Sequence, residues 1–322
     1  MIGRERTIYV SDAPAIAGLG FRLYREQLDL PPLMEICRQI QESSEKGWTP
    51  TEENLKAGDD GEDPQPARDV LIASIDQSPI GFTWLTRWTE TPNLRVYLHR
   101  GWIKPSFRRR GIGSALLRWQ EMHSGKLIKA DPHRGPFCFG GNADENQTSH
   151  RALLLSQGYQ IAFTNVWMDR ETLNDLPELP LPPGVEWRAV QESEIPQIFA
   201  ALTQVLWDTN PDYVQESHCD PALWCVAWAG DRIAGVAIHH IEDLTVHTPW
   251  LAVMPEFRRQ GIGAALLVEG LTRTRRRGAQ QARIFSNLQN PDHAAKLYQR
   301  MGYRITRRLP RFRKPVEDKA NA

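Results

Sequence analysis

The chain has 322 residues, 41% hydrophobic and 24% charged, with 39 Lys+Arg against 39 Asp+Glu and so a formal net charge of zero. That length and composition suit two folded domains and exclude a disordered chain, while the neutral total argues against a general polyanion binder. Cys37, Cys138, Cys219 and Cys225 are too scattered for a disulfide framework, and no apolar run reaches the roughly 18–20 residues of a membrane span, so a cytoplasmic protein without a membrane partner is expected.

A strand over residues 20–25 opens the chain, followed by a helix near 31–42. Residues 70–75 and 80–88 are apolar or alternating runs on either side of Asp76-Gln77-Ser78-Pro79, the pattern of a hairpin. A strand over 95–103 leads into Gly111-Ile112-Gly113 and a helix, and a strand at 137–139, a helix and a final strand complete the half. Residues 171–184 carry four prolines and little periodicity, as a semi-rigid linker would.

The same series then recurs. It runs as a strand at 185–189, a helix near 194–208, a hairpin of 224–228 and 233–241 about Ala229-Gly230-Asp231-Arg232, and a strand at 245–253. A glycine turn and helix, a strand at 283–285, another helix and a final strand follow. Residues 104–117 and 254–267 align without a gap at an offset of 150, with Phe107 on Phe257 and Gly111 on Gly261. Gly158-Tyr159 falls on Gly302-Tyr303 at an offset of 144. Two ordered matches this far apart indicate a duplicated domain, and the alternation of strands and helices after an antiparallel start indicates a mixed sheet with helices on both faces.

The glycine turns carry chemistry. At a strand-to-helix turn, glycines let backbone N–H groups converge on one spot with no side chain in the way, and the helix dipole adds partial positive charge there. Most such turns only cap helices. Here two copies each end a strand and each carry arginines, which favours an anion site suited to a pyrophosphate.

Arg108-Arg109-Arg110-Gly111-Ile112-Gly113 and Arg258-Arg259-Gln260-Gly261-Ile262-Gly263 resemble the acetyl-CoA signature of the GNAT superfamily, Arg/Gln-x-x-Gly-x-Gly/Ala after a strand. Asn290, Ala294, Ala295, Tyr298 and Gly302-Tyr303 resemble a later element of the same superfamily. The chain is most similar to its tandem members, of the mycothiol synthase type. The resemblance implies an α/β (mixed α+β) fold of two tandem GNAT acyl-CoA N-acyltransferase domains, each a twisted mixed sheet flanked by helices. On that reading residues 1–172 form a domain that binds CoA or only scaffolds, 173–184 a Pro-rich linker, and 185–322 the catalytic domain.

The resemblance further implies that the main chain from Leu251 to Val253 pairs with the pantetheine arm of acetyl-CoA. The turn Arg258-Arg259-Gln260-Gly261-Ile262-Gly263-Ala264 would hold the pyrophosphate through its amides from Arg259 onward, with Asn290 part of the cofactor site. Arg108, Arg109, Arg110, Gly111, Ile112 and Gly113 are the counterparts in the first half. Tyr298 matches the usual general acid, and a phenol with an ordinary pKa near 10 is neutral at pH 7 and able to protonate a departing thiolate. Leu154 stands in its place in the first half.

A base is needed because an alkylamine is mostly ammonium at neutral pH. His247, on the strand before the glycine turn, is the first candidate; Tyr97 is its counterpart. His239 and His240 are rivals, of which alternation lets one face the cleft, and Glu242 and Asp243 come third. A metal site is not expected, because His239-His240 lacks a third ligand. Cys219 and Cys225 read as structural.

The expected activity is an acetyl-CoA-dependent N-acetyltransferase acting on the primary amine of a small molecule by direct attack on the thioester. A main-chain N–H near Val253 would stabilise the oxyanion. Other readings are a non-catalytic acyl-CoA-binding sensor or scaffold, and a protein or peptide N-acetyltransferase. A monomer or homodimer without nucleic acid is expected.

The charge is neutral only in total. Residues 42–63 hold eight acids and read as a solvated loop, whereas 273–314 hold thirteen Lys/Arg and one acid, Asp292. The basic stretch reads as a solubilising surface, as help for CoA phosphates, or as a nucleic-acid surface. The last is disfavoured because no stacking aromatics interleave.

Overall fold

In the computed structural model, which describes residues 7–57, 69–90, 93–206, 220–290 and 292–316, the first half of the chain builds a series of strands and helices among the described residues. These are β1 (Leu19–Leu23), α1 (Glu26–Gln41), α2 (Glu52–Ala57), β2 (Leu71–Ile75), β3 (Ser78–Glu90), β4 (Leu94–Ile103), α3 (Ile112–Ala130), β5 (Phe137–Asn142), α4 (Thr148–Ser156) and β6 (Gln160–Arg170). The second half builds β7 (Glu186–Arg188), α5 (Ile195–Val205), β8 (Cys225–Ala229), β9 (Arg232–Glu242), β10 (Thr245–Val253), α6 (Ile262–Arg276), β11 (Gln281–Asn287), α7 (Ala294–Arg300) and β12 (Arg304–Pro315).

Two compact units result: Met1–Phe163 with Leu309–Ala322, and Thr164–Arg308. The sheet of the first unit runs β1-β2-β3-β4-β5 and is completed by the end of β12, where Arg311–Pro315 pair antiparallel with β5. The sheet of the second runs β7-β8-β9-β10-β11 and is completed by the end of β6, where Ala282–Asn287 of β11 pair antiparallel with residues 165–170. Each half of the chain therefore ends in a strand that closes the sheet of the other unit. The linear expectation kept each final strand at home. A period-2 pattern says that a segment is a strand, but strand partnership is a long-range choice that no local pattern encodes.

Both sheets are mixed. β4 and β5 run parallel, as do β10 and β11, whereas β3 with β4 and β9 with β10 are antiparallel. Alternation sends successive residues to opposite faces, so each face needs its own cover. In the first unit Leu71 and Ala73 pack with Ala115, Leu116 and Trp119 of α3, whereas Ile72 and Phe82 pack with Leu33, Ile36 and Ile40 of α1. In the second, α6 places Leu266 against Cys225, Ala227 and Ala237, and α5 places Ile198, Phe199 and Leu202 against Trp224, Val236 and Ile238.

Three local readings change. The first helix begins at Glu26, a turn and more before Pro31, because the Asp29 carboxylate accepts the Arg25 N–H at 2.6 Å and a bidentate pair from Arg22 at 2.7 and 2.6 Å. The acidic stretch is not simply a solvated loop: it contains α2, whose Leu55 is buried, and Glu45 is anchored to α4, accepting from Thr148 Oγ1 at 2.6 Å and Ser149 N at 3.0 Å. Asp59, Asp60, Glu62 and Asp63 lie outside the described residues. The Pro-rich stretch is docked on the second unit, with Leu173 buried and its carbonyl accepting from Arg275 Nη1 at 3.0 Å.

Much of the basic stretch is partnered. Arg283 pairs with Asp169 at 2.7 Å, Arg313 with Glu90 at 2.5 Å and Lys314 with Glu121 at 2.8 Å.

Candidate active site

A break in β10 organises the second unit. Thr245–His247 pair with β9, and Trp250–Val253 pair with it again after a register shift between His247 and Trp250. Pro249 lies in this step. Without an N–H, proline inside a sheet is confined to edges and bulges, so its presence in a central strand was the sequence signal for the break, and the expectations above missed it.

Parallel pairing with β11 covers only Thr245–His247, so β10 and β11 part beyond the bulge. The Met254 N–H donates to Ala234 O at 3.0 Å. In an antiparallel ladder alternate residues bond to the same neighbour, so Trp250, Ala252 and Met254 turn toward β9. The backbone groups of Leu251 and Val253 face the gap. That is an open strand edge to which an extended chain can add.

The strand then enters the glycine turn. Arg259 (φ 64°) and Gly261 (φ 85°) are left-handed, and α6 starts at Ile262. A Cβ on Gly261 would meet nothing within 4 Å, so the glycine serves conformation and leaves the outer surface of the turn open. Arg258 does not point into the turn. Its Nε donates to Val253 O at 3.2 Å and its Nη1 pairs with Asp292 at 2.9 Å, tying the turn to the loop before α7. Asn290 shapes that loop, its side chain accepting from Asp292 N at 2.9 Å and its carbonyl from His293 N at 2.9 Å. Gln260 and Arg259 are exposed.

α7 and the strand both reach the position of Gly263. A Cβ built there would be 3.5 Å from Leu297 Cδ2, 3.4 Å from Val253 Cγ2 and 3.7 Å from Leu251 Cδ2. Tyr298 follows Leu297 and is buried in a cluster that Leu251, Leu297 and Tyr303 share. Burial alone pushes its phenol well above the usual range, which keeps the proton on the oxygen at neutral pH.

The histidines separate by strand alternation. His239 faces α6, wholly buried, with Nδ1 2.9 Å from Thr248 Oγ1, and burial pushes its pKa down to about 3. It is a core residue and drops out as a rival base. His240 and His247 face the other way as register partners, their rings stacked at 5.1 Å and 11°. His247 Nε2 lies 3.7 Å from Glu242 Oε2. Burial lowers the pKa of His247, with Arg283 acting in the same direction and Glu242 and Asp169 opposing. His240 is lowered by burial and by His247. Asp243 occupies the two-residue turn between β9 and β10.

The first unit repeats the groove with different side chains. β4 pairs with β3 in unbroken register and with β5 only over Arg95–Leu98, and Lys104 N donates to Ile80 O at 2.9 Å, so Gly101 and Ile103 face a gap. A cavity of about 460 Å³ lies there, lined by Gly101, Ile103, Arg108, Arg109, Gly111 and Gly113 among others. Arg108 repeats the Arg258 contact, donating to Ile103 O at 3.3 Å, but pairs with Glu45 at 3.4 Å. Leu154, at the position of Tyr298, is buried against Gly141, and Tyr97, at the position of His247, donates its hydroxyl to Asp131 at 2.7 Å. Arg110 is exposed and donates to Ser106 O at 3.0 Å.

Neither unit offers a reactive thiol among the described residues. Cys37, Cys138 and Cys225 are free and buried, and burial pushes their pKa values up to about 12, 11 and 12. Cys219 lies outside the described residues.

Residues 33–126 match the acetyltransferase (GNAT) family and residues 220–305 an acetyltransferase (GNAT) domain. The chain is a tandem GNAT acetyltransferase. The two GNAT domains are similar in sequence to the mycothiol acetyltransferase of Geodermatophilus obscurus, 26% identical over 261 residues, which is 74% of this chain and 80% of that protein. A GCN5-related N-acetyltransferase from Sphaerobacter thermophilus shares the fold at a TM-score of 0.70 and 19% identity, over 93% of this chain and 96% of its own. A tandem GNAT protein from the clavulanic acid biosynthesis pathway does so at 0.62 and 12% identity, over 93% of this chain and all 100% of its own. No helix among the described residues is long and apolar enough to cross a membrane.

Proposed function

We propose that the second GNAT domain transfers an acetyl group from acetyl-CoA to the primary amine of a small molecule, and that the first is a non-catalytic copy. The observation that carries this reading is an asymmetry within one repeated groove. The second unit has a phenol, Tyr298, on the helix packed against its open turn, where the first has Leu154.

The residues fit acetyl-CoA. An open left-handed turn at Gly261 offers converging amides to a pyrophosphate, and the strand edge at Leu251 and the Val253 N–H, beyond the end of the pairing with β11, offers backbone partners to an extended pantetheine arm. Acetyl-CoA supplies a thioester-activated acetyl group. His247 takes the proton that the ammonium form of the acceptor must lose. Its depressed pKa keeps the imidazole neutral at pH 7. The Val253 N–H, facing the gap, donates to the acyl oxygen as that atom gains charge. Tyr298 returns a proton to the sulfur of the departing thiolate. Holding both reactants along one strand edge supplies the rest, because a bimolecular encounter becomes an intramolecular one. The mycothiol acetyltransferases similar to this chain favour a small-molecule acceptor over a peptide.

The test is release of free CoA thiol from acetyl-CoA with a panel of small amines and peptide N-termini. Turnover on small amines is expected. A blank across the panel with intact acetyl-CoA binding would overturn catalysis in favour of a sensor, and preference for peptides would overturn the small-molecule assignment.

A further inference from the structure

The β9–β10 hairpin gathers three metal-ligating side chains that the sequence shows only as a His-His pair and two separate residues. Its turn has just two residues, Asp243 and Leu244, both at positive φ (48° and 70°), as a type I′ turn requires. Such a turn fixes register, and the pairs that follow are Thr245 with Glu242 and His247 with His240. Residues two apart on a strand share a face, so His240 and Glu242 project together, and His247 joins them from the neighbouring strand. His239 projects to the opposite face, which is why the adjacent histidines never form a site by themselves.

The ligand atoms of His240, Glu242 and His247 all lie within 4.8 Å of one another. Zinc bonds of about 2.0–2.2 Å to nitrogen and oxygen imply tetrahedral edges of about 3.4 Å, within reach of small side-chain rotations. The two imidazoles leave the sheet side by side, 11° from parallel. Both histidines are half-buried while the Glu242 side chain is 70% exposed, so the cluster rests on a rigid base and opens on one side to water. Two imidazoles and one carboxylate suit zinc, cobalt or nickel, whereas magnesium and calcium take oxygen ligands. The cluster is not a relic of the duplication: the positions paired in the first unit are Arg87 and Tyr97.

We propose that His240, Glu242 and His247 form a binding site for a divalent transition metal of the zinc type, with a fourth position left to water. The site does not depend on the transferase reading. A bound ion takes the lone pair that His247 needs as a base, so binding is to be read by spectroscopy and calorimetry and not by turnover.

The test uses the full chain, freed of metal by a chelator and titrated with Co²⁺ alone and then with Zn²⁺. One equivalent of Co²⁺ should develop the intense visible absorption of a tetrahedral site, and Zn²⁺ should abolish it. His240→Ala and Glu242→Ala should each weaken Zn²⁺ binding about tenfold or more, while His133→Ala, in the first unit, should leave it unchanged. The variants are compared by circular dichroism to establish that they are folded. Absence of the cobalt absorption, or Zn²⁺ affinity unchanged in a folded His240→Ala/His247→Ala double variant, would overturn the site.

Discussion

Pro14 packs against the face of Gly111 where a side chain would start: a Cβ built on that glycine would be 3.4 Å from Pro14 Cβ, while the equivalent Cβ on Gly261 would meet nothing within 4 Å. The two turns are alike in backbone, with φ of 82° and 85° at the glycine. They differ in what covers them. The N-terminal segment that brings Pro14 is held by Arg118, whose Nη2 donates to Asp12 O at 3.2 Å.

Only the open turn should therefore present its amides freely to a pyrophosphate. Gly261→Asp adds both a side chain and a like charge there, and is expected to weaken acetyl-CoA binding about tenfold or more, roughly 1.4 kcal/mol or above. Gly111→Asp should weaken it less. Calorimetry with both variants checks this, and equal effects would remove the distinction between the turns.

Tyr298→Phe keeps the ring that packs with Leu251 and Tyr303 and deletes only the hydroxyl. Turnover should fall by about 10²-fold or more if the phenol is the acid, with acetyl-CoA affinity and melting temperature nearly unchanged. Steady-state kinetics beside a binding titration separate the two. An undiminished kcat takes Tyr298 out of the mechanism.

Gly270 exists to make room for His239. A Cβ there would be 1.9 Å from His239 Nε2, a distance no packing tolerates, and His239 is wholly buried beneath α6. Gly270→Ala is expected to destabilise the second unit by about 1–3 kcal/mol through overpacking, even though alanine is the better helix former. Thermal unfolding reads the outcome, and a stabilised variant would contradict the packing described.

His99 is buried in the first unit with Nδ1 2.9 Å from the Tyr159 hydroxyl and Nε2 2.8 Å from Ser124 Oγ. Burial, then Lys314 and His123, push its pKa down to about 3 from an ordinary 6.5. Between those values the unfolded chain binds the proton that the folded chain refuses, so stability falls as pH falls below about 6.5, by up to about 1.4 kcal/mol per pH unit from this residue. His99→Gln should be less stable at pH 7 yet lose less on going to pH 5. Calorimetric melting at both pH values measures this, and an unchanged slope would assign the acid sensitivity to other groups.

Before any folding, the sequence already determined the duplication, the two glycine turns, the mixed order of strands and helices, and the presence of Tyr298 in one copy against Leu154 in the other. These are legible because each depends on a few neighbouring residues: a glycine where φ must be positive, a helix after it, an apolar alternation before it. Pro249 was equally local, a proline inside a central strand, and its meaning as a bulge was there to be read.

Tertiary structure alone decided the rest. The end of β12 pairs with β5 and the end of β6 with β11, Glu45 takes Arg108 from about sixty residues away, and Pro14 lies on Gly111. His240 rather than His239 joins His247 and Glu242. Each outcome depends on which strand becomes a neighbour and which face it turns to the same side. A side-chain period of two gives the same pattern for either partner, so only the packed sheet could choose between them.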